Sequence, residues 1–291
     1  MASLKDIKTQ IGSVKATQQI TSAMQMVATV KLQKAEKIVS NLLPYQEKID
    51  ELLHNFLQSE RRSKSLFEEE RELKRTAIVA FSANMSLCGA FNANVTKKLT
   101  DTIEQLKHQS ENEVLIYTVG KKTDHAIRNK DITPVEYHEG IAHNPNYEEV
   151  AELAERLMTL FQNKEIDKVI LIYHQFKSKG VQILTTETLL PISFENVAQE
   201  DTETAINSVD YIIEPDKETL LNKLVPKVIK LKLYRALLES YTSEQAARNM
   251  AMQSATDNAD DMLDDLSLLY NKSRQQSITN ELLDIIGATF K

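Results

Sequence analysis

The sequence predicts an α/β protein with long helices: an antiparallel coiled coil of the N- and C-terminal helices plus a central Rossmann-like α/β domain. Three observations carry this. Glycine and proline are absent over long stretches at both ends of the 291 residues. Apolar residues in those end stretches recur in steps of three and four, the spacing of a helical seam. Between them the period changes to short runs rich in β-branched residues, which suit strands.

The first helix is expected over residues 1–58, with Ser3 as a cap and Asp6 closing a loose capping box. Ile38, Leu42, Tyr45, Ile49, Leu52 and Phe56 step by four and three. Earlier, Ile7, Ile11 and Val14, then Ile20, Met24 and Val27, keep the rhythm after one phase shift. Pro44 lacks an N–H donor and is expected to kink the helix. Residues 59–75, SERRSKSLFEEERELKR, read as a charged, solvated linker or a frayed helix end.

Residues 76–209 are expected to form the α/β domain. TAIVAF, VLIYTVG and KVILIYHQF are strand-like, and the first two are followed by helical patterns. The third is preceded by one, NYEEVAELAERLMTLFQ. Strands alternating with helices imply parallel pairing in an open sheet. VQILTTETLLPI follows KVILIYHQF after a short SKG turn and is expected to return as an antiparallel hairpin. The last helix, in residues 210–291, starts near Asp216 as N-cap with Thr219 three residues on. Ala255, Ala259, Met262, Leu266 and Leu269 form its seam, resumed after a shift by Ile278, Leu282 and Ile285. Helices this long cannot bury a seam alone, so the two ends are expected to wrap around each other, the second projecting beyond the first.

Composition excludes several classes. A net charge of −7 argues against nucleic acid as the main partner. No apolar run is long enough to span a membrane. The start, MASLKDIKTQIG, is read as carrying no secretory signal. Cys88 is the single cysteine, so no internal disulfide forms. The six glycines are too scattered for a phosphate-cradling loop, and neither a Walker A loop nor a G-x-G-x-x-G turn can be written. No cofactor or metal is therefore expected.

Four blocks then carry a resemblance over essentially the whole chain. They are IGSVKATQQITSAMQMVA at 11–28, LCGAFN at 87–92, SEQAARNMAMQSATDNA at 243–259 and YNKSRQQSITNEL at 270–282. In this order and spacing the chain resembles the gamma subunits of F-type ATP synthases, bacterial ones in particular. The resemblance implies a non-catalytic rotor shaft, coupling ion-driven rotation of the c ring to ATP synthesis or hydrolysis at the beta subunits. It implies a coiled coil standing inside a ring of three alpha and three beta subunits. The α/β domain would dock with epsilon on the c ring, peripheral at the cytoplasmic face of the bacterial inner membrane. It also implies residue roles. Arg274, Gln275 and Thr279 would form a polar catch on a beta-subunit loop, with Arg248 and Met24 as further contacts. Ile285, Ile286 and Phe290 would form an apolar bearing tip. Tyr211 and Glu214 would belong to the foot near the c ring and epsilon. Asn84, Met85 and Ser86 depart from the Asp, Arg or Lys, and Gly that the family commonly carries there.

Blander readings stand beside these. Cys88 reads as a packed turn residue rather than a nucleophile. His138 and His143 lie in a stretch that reads as a solvated loop rather than a metal site. The aspartates of DNADDMLDDL, residues 257–266, read as a solvated face opposite Met262 and Leu266. Met24 is equally placed to pack only within the coiled coil. The competing functions are a non-rotary coiled-coil adaptor with a globular α/β head, and an enzyme with helical docking arms.

Overall fold

A computed structural model describes residues 4–58, 67–69, 71–109, 113–192 and 216–289. The elements in chain order are α1 (Leu4–Gln58), β1 (Arg75–Phe81), α2 (Phe91–Gln109), β2 (Glu113–Val119), α3 (Lys121–Arg128) and β3 (Glu136–His138). They continue with α4 (Glu139–His143), α5 (Tyr147–Gln162), β4 (Lys168–Ser178), β5 (Val181–Leu190) and α6 (Lys217–Thr289). The chain divides into two compact units, one of residues 31–247 and one of residues 1–30 with 248–291.

The larger unit is built on a five-stranded sheet of order β3-β2-β1-β4-β5. β1 runs parallel to both β2 and β4, and β2 runs parallel to β3. β5 returns antiparallel to β4 through the expected hairpin. Alternation along the strands sends side chains to two cores. Ile78, Ala80, Ile116, Ile170 and Ile172 meet Val95, Leu99, Ile103 and Leu106 of α2 and Ile127 of α3. Val79, Phe81, Tyr117, Val119, Leu171 and Tyr173 face the opposite way. They are covered by α5 (Val150, Leu153, Leu157, Phe161), by Ile49 and Leu53 of α1, and by Leu221, Val225, Val228 and Ile229 of α6. Burial on both faces explains why these strands are nearly continuous apolar runs. Each fully buried Leu, Ile or Val contributes about 1.5–3 kcal/mol relative to exposure.

Local polar contacts set the ends of the elements. Asp167 Oδ2 accepts the backbone N–H of Lys74 and of Arg75, each at 2.9 Å, fixing the start of β1. Asn146 caps α5 by accepting from the Glu148 N–H. Asp216 caps α6 as expected, its Oδ1 accepting the Thr219 N–H at 2.8 Å. Gly120 turns the chain from β2 into α3 at φ 105°, and a Cβ there would lie 2.0 Å from the Ser82 carbonyl oxygen. No other residue fits that crossing.

Two expectations are corrected. Part of the charged stretch 59–75 is packed rather than solvated. Phe67 is buried, its carbonyl accepts the Ile192 N–H at 2.8 Å, and Arg71 donates to the Phe161 carbonyl at 2.9 Å while lying over the Phe161 ring. The cation therefore stays on the chain for its hydrogen bonds and ring contact, which charge counting misses. The stretch around His138 and His143 is ordered rather than looped: it forms β3 and α4, and burial of Ile141 and Ala142 anchors it. His138 Nε2 lies 3.2 Å from Glu136, and burial lowers its pKa, so the imidazole favours the neutral form. Among the described residues no group of three or more potential ligands could hold a metal ion, and no helix is long and apolar enough to cross a membrane.

Candidate functional site

The least exposed residues of α1 follow an unbroken seven-residue repeat from Ile7 through Ile11, Val14, Gln18, Thr21, Gln25 and Ala28, continuing through Leu32, Ala35 and Val39 to Leu53. This corrects the expected phase. Ile20 is 60% exposed and Val27 56%, because the polar Thr21 and the small Ala28 occupy the seam in their place. Ile38, Tyr45 and Leu52 are likewise exposed beside buried Val39, Gln46 and Leu53. On α6 the seam runs Asn249, Met252, Thr256, Ala259, Leu263, Leu266, Tyr270 and Ser273. Met262, Leu269, Ile278, Leu282 and Ile285 lie off it and are exposed. Neither helix needs the shift that apolar counting demanded.

Within the unit of residues 1–30 and 248–291, the two helices are antiparallel and joined by polar layers. Thr21 and Thr256 share a hydrogen bond of 2.8 Å between their hydroxyls. Asn249 Nδ2 donates to Thr29 Oγ1 at 2.5 Å and to the Gln25 carbonyl at 3.3 Å. Gln18 donates to Asp260 at 3.1 Å, and Gln25 donates to Gln253. Polar groups at seam positions fix register and orientation better than apolar ones, at some cost in stability. Sequence reading missed these residues; heptad counting onward from Ile7 would have found them.

The same antiparallel register brings Leu4 opposite Ser273. From Arg274 onward α6 therefore runs past the first described residue of α1. Arg274 and Gln275 are exposed there, and so is Thr279, whose hydroxyl donates to the Gln275 carbonyl at 2.9 Å. The three lie within little more than a turn of α6. Beyond it Leu282, Leu283, Ile285 and Ile286 are all at least half exposed, Ile285 at 61% and Ile286 at 51%. Large apolar side chains exposed along one side of a helix end, opposite the charged Glu281 and Asp284, are the signature of a surface meant to be covered. Phe290 lies outside the described residues, as do Tyr211 and Glu214. Met24 is half-buried beside the seam, and Arg248 is buried, 8% exposed. Exposed Ile20, Met26, Val27 and Val30 line the outside of α1. The aspartates at 257, 260, 261, 264 and 265 are exposed as expected, but Met262, 53% exposed, shares the solvated side with them.

In the larger unit, strand order reverses between β1 and β4, where open α/β sheets ordinarily hold ligands at the carboxyl ends of the strands. Here the chain's own residues occupy that place. Ala83, Cys88 and Phe91 form a buried cluster with Ala247 of α6 against it. The ring of His174 stacks on Phe91 at 4.4 Å, and Ser243 Oγ donates to the His174 carbonyl at 3.1 Å. The turn is braced by Asn92, which accepts from the Ala83 N–H at 2.9 Å and donates to the Met85 carbonyl. Asn84 adds a donor to the Glu139 carbonyl and an acceptor for the Lys121 N–H. Ser86 has no positive φ, so a side chain is tolerated where the resembled family carries glycine; Leu87 instead takes φ 66°. Cys88 is buried, as a packed turn residue.

A family model described as ATP synthase matches residues 3–289. The chain is 49% identical to an ATP synthase gamma chain of Bacteroides thetaiotaomicron, covering 100% of both chains. It is 50% identical to one of Bacteroides fragilis, covering 99% of each. Among solved structures it resembles a chain of the Tetrahymena thermophila mitochondrial ATP synthase central stalk and c ring, at 25% identity and TM-score 0.58, covering 81% of this chain and 99% of that one. A chain of the Euglena gracilis mitochondrial ATP synthase shares the fold at TM-score 0.65 and 19% identity, covering 99% and 93%. The long end helices and central sheet are thus the architecture of central-stalk subunits, and the chain belongs to the ATP synthase gamma family, the rotor subunits of that enzyme.

Proposed function

We propose that this chain is the central shaft of a bacterial F-type ATP synthase, one copy standing inside a ring of three alpha and three beta subunits. The observation that carries this is the end of α6, where exposed polar residues at Arg274, Gln275 and Thr279 precede a tip exposed at Ile285 and Ile286. Apolar contact is non-directional, so a tip of this kind turns in an apolar sleeve without locking at one angle. A guanidinium beside an amide and a hydroxyl gives directional, charge-assisted donors, which suit a catch on an acidic beta-subunit loop. Met24 and Arg248 are further contacts of the shaft in this reading, and Phe290 completes the tip.

The three beta subunits meet different faces of one asymmetric shaft. Differences in contact free energy between those faces link rotation to nucleotide affinity, and linkage runs both ways. The α/β unit, with Tyr211 and Glu214, docks with epsilon on the c ring, which places the chain peripherally on the cytoplasmic face of the inner membrane. The chain itself supplies no catalytic group. The filled place between β1 and β4, packed with Ala83, Cys88, Phe91 and Ala247, supports this.

The test is the coupling of the assembled enzyme. With Arg274→Ala, Gln275→Ala and Thr279→Ala combined, ATP-driven ion pumping is expected to fall several-fold relative to ATP hydrolysis. The residues are exposed, so folding should be unaffected. Unchanged pumping and hydrolysis in the triple variant would contradict the catch.

A further inference from the structure

One guanidinium serves two carboxylates where α6 packs against the β4–β5 hairpin. Arg235 Nε lies 3.2 Å from Glu239 Oε1, one turn along α6, and a terminal nitrogen of Arg235 lies 3.9 Å from Glu187 Oε2 on β5. The two acids are served unequally. Glu187 also accepts from the Tyr173 hydroxyl at 2.8 Å, and about a third of its side chain meets solvent. Glu239 is 5% exposed, and its Oε2 has no hydrogen-bond partner among the described residues. Tyr173 is fully buried on β4, and burial followed by the charge of Glu187 raises its pKa, so the phenol keeps its proton. His174, the next residue on β4, alternates to the other face, where its ring stacks on Phe91.

We propose that Glu239 holds a proton at neutral pH, and that this proton fastens α6 to the β4–β5 hairpin. With both acids ionised, one guanidinium against two carboxylates would leave a net negative charge. It would also leave one charged oxygen buried without a donor. A buried charge short of partners costs far more than a neutral polar group. A proton on Glu239 removes that charge and leaves Oε1 to accept from Arg235. Burial is the largest influence on Glu239 and raises its pKa; Arg235 opposes the rise and Glu187 adds to it. A carboxyl whose pKa is higher in the folded chain than in the unfolded one stabilises the fold while protonated. That stability is complete below the unfolded value and is lost as pH rises through the folded one. The hairpin should therefore loosen from α6 as the solution turns alkaline. The fastener lies within the chain and stands apart from the rotor reading.

Carbon-13 NMR of the glutamate carboxyls in the full chain tests it, titrated from about pH 5 to about pH 9 and assigned by through-bond correlation. The Glu239 carboxyl should be protonated at pH 7 and lose its proton only above it. Amides of β5 should exchange about ten-fold faster across that step, beyond the intrinsic rise with pH. Glu239→Gln resembles the protonated acid and cannot ionise, so its β5 amides should show no such step. Glu187→Gln keeps Glu239 and removes the competing charge, so the midpoint should fall by about one pH unit or more. A Glu239 carboxyl already ionised at pH 7 in the unaltered chain would overturn the proposal. So would a midpoint left unmoved by Glu187→Gln, or an exchange step of equal size in Glu239→Gln.

Discussion

His174 is 4% exposed, its ring stacked on Phe91 and its Nδ1 without a hydrogen-bond partner among the described residues. Burial lowers its pKa from 6.5 to about 4. The unfolded chain therefore binds the proton at a higher pH than the native one. Stability from keeping this imidazole neutral is complete above about pH 6.5 and is lost as pH falls toward 4, in all roughly 3 kcal/mol. Urea unfolding of the chain at pH 7 and pH 5 should show the loss. His174→Phe keeps a ring on Phe91 without a titrating group, so its stability should change clearly less between the two pH values. An equal loss in both proteins would assign the pH dependence elsewhere. The same residue joins the two ends of the sequence reading. Its neighbours Phe91 and Cys88 come from the LCGAFN block and Ser243 from SEQAAR, so two family signatures meet in one packed joint.

At the scale of the element, the polar layers of the seam make a quantitative claim. The Thr21 and Thr256 hydroxyls lie 2.8 Å apart, and each is also within reach of a carbonyl of its own helix, at Gln18 and Met252; with one proton each, one hydroxyl donates across the seam while the other donates to its own helix. Thr21→Val or Thr256→Val alone should cost about 1 kcal/mol, because the remaining hydroxyl loses a buried partner. The double variant should cost less than the sum of the singles, with a coupling of about 0.5–1.5 kcal/mol in a denaturation cycle. Strict additivity would mean that the bond across the seam contributes nothing. These residues also show what the sequence made legible and what it hid. The strands at 76–81, 114–119 and 168–176, the hairpin and the Asp216 cap were readable, because periodicity and capping are local. The seam phase was not. Apolar Ile20 and Val27 outweigh Thr21 and Ala28 in any count of hydrophobicity, yet the partner helix sits on the latter pair's side. Ile278, Leu282 and Ile285 looked like a resumed seam, but no described helix lies opposite them, and their exposure is a feature of the tip. Three-residue β3 and the buried Phe67 were invisible for a different reason: both depend on partners distant in the chain.

At the scale of the whole molecule, family membership rests on the full length of the chain, residues 3–289, whereas the roles of single residues rest on exposure and chemistry. Arg274, Gln275 and Thr279 are exposed, as the proposed catch requires, while Arg248 is buried. The proposed shaft requires one copy, since its asymmetry would make three equivalent neighbours unequal. Native mass spectrometry of the chain co-expressed with the alpha and beta subunits of its own organism measures that directly. The expected result is a complex holding one copy of this chain with three alpha and three beta subunits. A chain that stays alone, or that binds in several copies, would contradict the central shaft and favour a coiled-coil adaptor.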